Sequence, residues 1–211
     1  MKLLVIGATG ATGQEIVKQA VQAGHQVTAL VRVASKAEFP AGVTKAVGDV
    51  LDGASLAHAL SGQEAVISAL GSGPTGPLKK MTLLSEGTRN LISAMHPQNV
   101  SRLVCITGIG AGESKGHGPW WYDWLLQPLM LRGVYEDKTR QENLVRQSGL
   151  DWTLVRPGAL TNGPAKGSEA VRVVTNLTGF HAGFISRADV AAFCLTEVET
   201  GRYRQQAPVV T

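Results

Sequence analysis

Residues 7–13 read GATGATG, between the apolar run LLVI and the helical pattern ATGQEIVKQAV. Glycines at the spacing Gly7-x-x-Gly10-x-x-Gly13 let the backbone come close to a ligand. A helix starting there presents unpaired N–H groups and the positive end of its dipole, the arrangement that holds a pyrophosphate. Thr9 and Thr12 add hydroxyl donors, so Gly7, Thr9, Gly10, Ala11, Thr12 and Gly13 form the first candidate site. The second cue is Arg32, which ends the apolar stretch HQVTALVR and is followed by Ser35 and Lys36. An acid at the end of a second strand would bind a ribose 2′-hydroxyl, whereas an arginine fork suits a 2′-phosphate. Arg32, with Lys36 beside it, therefore predicts NADP(H) rather than NAD(H).

A third group of residues suits a planar ligand. The segment HGPWWYDWLLQPLMLRGVY (117–135) holds Trp120, Trp121 and Trp124, three of the four tryptophans. Flat aromatics among aliphatic residues either stack on a flavin or tetrapyrrole or pack a lid onto the body of the protein. Residues 109–135 are expected to form this substrate lid. His117 reads as an exposed loop histidine. Arg187 reads as a surface residue, with attraction of a substrate carboxylate as the alternative.

These residues need elements to position them. The short apolar run at 2–7 reads as a strand buried on both faces, and 25–32, 43–50, 64–71, 101–108 and 150–158 read as further strands. Helical patterns fall between and after them, at 11–24, 53–62, 81–95, 136–149 and 185–199, with Gly24 and Gly149 as stops. Ser186 and Asp189 have the spacing of a capping box. Alternating strands and helices predict an α/β, single-domain, doubly wound parallel sheet spanning 1–211. Ligands in such a sheet sit at the carboxyl ends of the strands. Those ends are Gly7, Arg32, Asp49, Leu70 and Gly71, Thr107 and Gly108, and Pro157 and Gly158, all predicted to line one edge.

The totals narrow the function classes. The 211 residues are 44% hydrophobic and 17% charged, which describes an ordinary globular chain. A net charge of +4 is spread along the chain without a basic stripe, so no nucleic-acid partner is expected. No apolar run reaches membrane-spanning length, and MKLLVIG is too short for a signal peptide. Cys105 and Cys194 sit in apolar contexts, as reduced core thiols of a cytoplasmic protein would. No pair of Cys or His has metal-ligand spacing, so no metal is expected.

Taken together, VIGATGATGQEIV, VTALVR, GDVLD, VISALG, SEGTRNLI, SGLDWTLVRPG and ISRADVA resemble the atypical short-chain dehydrogenase/reductase family, in its NAD(P)H-binding, NmrA-like branch. Within that branch the likeness is greatest to the biliverdin-IXβ/flavin reductases. The resemblance spans about residues 2–200. It implies a Rossmann-like fold and an NADPH-dependent reductase passing hydride to a flavin, a bilin or a quinone. Carried over by motif, Asp49 and Val50 flank the adenine, and Leu70 and Gly71 border the nicotinamide ribose. Thr107 supplies a hydroxyl near nicotinamide and substrate, with Gly108 beside it, and Pro157 passes near the nicotinamide amide. The usual catalytic pair, Tyr-x-x-x-Lys, is here Tyr135-Glu136-Asp137-Lys138, one residue shorter. A separation of three still shares a helix face, so Lys138 reaches the cofactor ribose. The vertebrate reductases carry a histidine shortly after the proline of the RP segment; PGALTNG has none. The resemblance leaves two other readings, an NADP(H)-binding sensor without catalysis and a sugar-nucleotide epimerase-like enzyme.

Overall fold

The computed structural model describes residues 1–32, 37–72, 81–118 and 132–211. Lys36, Trp120, Trp121 and Trp124, with residues 119–131 of the expected lid, lie outside the described residues.

Strand β1 (Lys2–Ile6) explains its unbroken apolar run by being covered on both sides. Leu3 and Val5 join one apolar cluster, and Leu4 and Ile6 the other. β1 pairs in parallel with β2 (Gln26–Val31) on one side and β4 (Ala65–Ser68) on the other. β3 (Thr44–Val47) adds to β2, β5 (Arg102–Ile106) to β4, and β6 (Asp151–Pro157) to β5, all parallel. The order β3-β2-β1-β4-β5-β6 reverses direction between β1 and β4. Loops leave the two strands to opposite sides there, which opens a crevice at their carboxyl ends.

Helices α1 (Ala11–Gln22) and α5 (Arg187–Thr200) cover one face. Ile16, Val17 and Ala20 meet Val190, Ala191 and Cys194 there, over Val5 and Ile67. Helices α2 (Gly53–Leu60), α3 (Leu83–Met95) and α4 (Arg132–Arg146) cover the other, through Leu56, Leu60, Leu91, Met95 and Val145. α4 begins at Arg132, before the expected 136, and an i,i+4 ion pair from Arg132 to Glu136 at 2.9 Å supports the added turn. The two cysteines are free and buried, as expected.

The all-parallel expectation is corrected at one edge. β10 (Val209–Val210) adds parallel to β6, but β8 (Val173–Val174) runs antiparallel to β10. A second, two-stranded parallel sheet joins β7 (Ala159–Thr161) to β9 (Phe184–Ser186). Strands of two or three residues are too short for a periodicity to announce them.

Two helix caps differ in origin, one local and one supplied from a distant part of the chain. Ser186 caps α5 by accepting from the Asp189 N–H at 3.0 Å. The Asp189 carboxylate does not close the capping box onto Ser186's backbone; it accepts from the N–H groups of Lys166 and Gly167, and from the Ser186 hydroxyl. α3 has no side-chain cap from its own Thr82. Asp137 on α4 supplies one instead, accepting from the N–H groups of Leu84 (2.8 Å) and Ser85 (3.3 Å) and from the Ser85 hydroxyl.

Candidate functional site

The glycine loop sits in the crevice between β1 and β4. Gly7 has φ +72, and a Cβ on it would stand 2.4 Å from the carbonyl oxygen of Ala69. At Gly13 a Cβ would stand 2.2 Å from the carbonyl oxygen of Gly7. Any larger residue would push the loop off the end of β4 or the helix off the loop. α1 begins at Gly10 without a side-chain cap. Its first-turn N–H groups, at Ala11, Thr12 and Gly13, have no partner within the helix and line a cleft of about 780 Å³. An uncapped helix start facing an open cleft fits a diphosphate.

The cleft gathers Gly7, Thr9, Gly10, Ala11, Thr12, Gly13, Arg32, Asp49, Val50, Leu70 and Gly71. These come from the ends of β1, β2, β3 and β4, as parallel strands sharing one direction require. Arg32 is exposed, and among the described residues no hydrogen bond or ion pair engages it. Asp49 is turned into its own loop, where Oδ1 accepts from the Leu51 N–H at 2.9 Å. The Asn90 amide holds the Val50 carbonyl at 3.1 Å, which ties this wall to α3.

Thr107, Gly108, Lys138 and Pro157 are brought together in a second cluster, at the ends of β5 and β6. Lys138 Nζ donates to the Thr107 carbonyl at 2.5 Å and lies 5.3 Å from the Tyr135 ring centroid. A Cβ on Gly108 would come within 2.8 Å of Lys138 Nζ and 3.8 Å of Tyr135 Oη. The three-residue spacing thus does put tyrosine and lysine on one helix face, over Gly108. Pro157 is held in the sheet, its carbonyl accepting from Ile109 N–H at 3.1 Å. Among the described residues none of these four lines the glycine-loop cleft.

A buried charge network stands behind this cluster. The Thr107 hydroxyl donates to Glu142 Oε1 at 2.7 Å. Arg156 grips the same carboxylate with both Nε, at 2.9 Å, and Nη2. Arg156 Nη1 also donates to Glu113 at 3.1 Å, and Arg146 reaches Glu113 at 2.6 Å. Glu142 and Arg156 are each 1% exposed. Burial pushes the Lys138 amine down to about 8, against the pull of Glu142 and Cys105, which favour its charged form. Burial, reinforced by Glu142, pushes the Cys105 thiol up to about 12, so it is not a nucleophile. Burial would raise Glu113, but Arg156 and Arg146 outweigh it and hold the carboxyl near 2.

Sequence reasoning missed several lining residues. Leu30, Gly48, Ala69, Ser72, Leu83 and Leu160 complete the cleft, and so does Arg187, which the sequence places first at the surface and only second against a substrate carboxylate. Leu30, Gly48, Ala69 and Ser72 adjoin predicted strand ends, so widening each end by a residue or two would have found them. Leu160 and Arg187 carried no such signal, because β7 and β9 bring them in. Glu142 was lost in a polar stretch, EDKTRQENLVRQ.

No helix among the described residues is long and apolar enough to cross a membrane, and none of their side chains group as a metal site. The profile of a family described as NAD(P)H-binding matches residues 7–200. Photosystem II assembly factor Ycf39 of Synechocystis is 30% identical across all of this chain, which spans 62% of that protein, less than two thirds of its length. The uncharacterized sugar epimerase YhfK of Bacillus subtilis is 30% identical over 94% of this chain and 88% of its own. NAD(P)H azoreductase of Xenophilus azovorans is 28% identical over 99% of this chain and 67% of its own. Among solved structures, the anaerobilin reductase ChuY of Escherichia coli O157:H7 matches with a TM-score of 0.81 at 24% identity, covering 100% of this chain and 96% of ChuY. At that identity the likeness speaks for the fold. A glycine loop at the first strand-to-helix turn, beneath a family match over most of the length, places this chain in the NAD(P)H-binding family.

Proposed function

We propose that the protein is an NADPH-dependent reductase that delivers hydride to a flavin or to biliverdin. The observation that carries this reading is one cleft holding both the uncapped glycine-loop helix and Arg32, which has no partner among the described residues, with no acid at the end of β2. The first-turn amides of α1, with Thr9 and Thr12, hold the diphosphate. Arg32 holds the 2′-phosphate, Asp49 and Val50 flank the adenine, and Leu70 and Gly71 border the second ribose. Lys138 and Thr107 stand where the nicotinamide side ends, Lys138 as the charged donor and Thr107 as the hydroxyl fixed by Glu142. When bound, NADPH supplies the hydride. The chain's own task is alignment of donor and acceptor and exclusion of water. The azoreductase name of one relative supports a reductase.

The test mixes the protein with NADPH and FMN, biliverdin or a quinone, and follows the nicotinamide absorbance. NADPH consumption is expected, with NADH a poorer donor. No consumption with any acceptor overturns the reading. One observation favours a non-catalytic NADP(H) sensor instead: the Thr107 hydroxyl is already committed to Glu142. Tight NADP⁺ binding without turnover selects it.

A further inference from the structure

Among the described residues, the cleft contains three charged side chains, Arg32, Asp49 and Arg187. The arginines enter from different sheets. Arg32 ends β2, beside β3. Arg187 follows β9, whose partner β7 continues from β6. Leu160, 37% exposed on β7, lines the cleft on the Arg187 side. Asn162, just past β7, accepts from Arg187 Nη1 at 2.6 Å. A neutral amide fixes the guanidinium plane and leaves its charge uncompensated. Among the described residues Arg187 has no carboxylate partner. It also occupies the first position of α5, where the helix dipole repels a cation, so it is not there for the helix.

We propose that Arg187, aimed by Asn162, reads an anionic group on the second ligand, so that the acceptor is a flat conjugated molecule bearing a carboxylate or phosphate. This rests on the dinucleotide reading above. In that reading the α1 amides meet the diphosphate and Arg32 meets the 2′-phosphate, which leaves Arg187 for a third anion. Leu160 offers the apolar surface against which the ring lies, with the guanidinium at its charged end. The guanidinium fork suits either a carboxylate or a phosphate, in a bidentate pair.

The test is equilibrium binding to protein saturated with NADP⁺, using two charged and neutral pairs: FMN against riboflavin, and biliverdin against its dimethyl ester. Wild-type protein is expected to prefer the charged member of at least one pair by about tenfold, and the preference shrinks as salt rises. Arg187→Gln abolishes the preference and leaves the neutral ligand and NADP⁺ as tightly bound as before. Arg187→Lys keeps part of it. A preference that survives Arg187→Gln overturns the proposal, as does its absence from wild-type protein for both pairs. Weaker NADP⁺ binding in Arg187→Gln with acceptor binding unchanged also overturns it, and assigns the residue to the cofactor's diphosphate. Failure of wild-type protein to bind NADP⁺ at all sinks the dinucleotide reading, and the proposal with it.

Discussion

Arg32 and Lys138 are the two side chains on whose charge the proposed reductase chemistry would depend most directly. Arg32 stands exposed at the end of β2 without a partner among the described residues. Arg32→Ser should weaken NADP⁺ by about 2 kcal/mol, roughly 30-fold, and leave NAD⁺ almost unchanged, since only the first offers a 2′-phosphate. Isothermal titration with both dinucleotides measures this. Lys138 is charged below about pH 8 and neutral above it. The pH profile of turnover should therefore fall on an alkaline limb near 8. Lys138→Met should lack the limb, and Glu142→Gln should move it to lower pH, because Glu142 favours the charged amine. The folded amine titrates below the ordinary lysine value of 10.5, so the unfolded chain binds more protons between about 8 and 10.5. Across that window the stability of wild type relative to Lys138→Met should rise with pH. Arg32's place in the cleft was legible because it follows directly on a strand end. Glu142 was not, because one glutamate in a polar helix resembles any other until its partners are known.

The helix pair α3 and α4 shows how one element completes another. Asp137 is fully buried and caps α3 across the interface, where Arg140 also pairs with it at 3.2 Å. Asp137→Ala should cost about 2–4 kcal/mol, combining a lost cap with buried donors left unpaired. Urea unfolding should show the midpoint falling with the slope unchanged. The inward face of α4 holds Asp137, Gln141 and Glu142, all buried. With only Val134 and Val145 apolar on that inner stripe, the helix carries a weak apolar period, which is why its start was misplaced and its role unseen. Long parallel strands with unbroken apolar runs were legible for the opposite reason. β7 to β10 were not, each being too short to carry a pattern.

Across the whole molecule, Glu142 and Arg156 bind α4 to β6 through a buried ion pair that also holds Thr107, just past β5. Glu142→Ala leaves a buried guanidinium short of a counter-charge and should cost about 3–5 kcal/mol. The double variant Glu142→Met, Arg156→Met removes both charges and should be less destabilised than the single one. A double-mutant cycle by chemical denaturation decides this. If the double variant is stable but turns over slowly, the pair serves the site more than the fold.

The chain's sequence determined the features whose causes are local. The apolar runs specify doubly covered strands, the glycine spacing specifies a tight turn into a helix start, and Arg32 follows its strand by position alone. Each needs only neighbours a few residues away. The tertiary structure decided everything that depends on who meets whom. It delivered Arg187 and Leu160 to the cleft through a small second sheet, capped α3 from α4, and set Glu142 between Thr107 and Arg156. A hydrogen bond between residues dozens of positions apart leaves no period in the chain. It exists only once packing of the apolar faces has brought the two elements within reach.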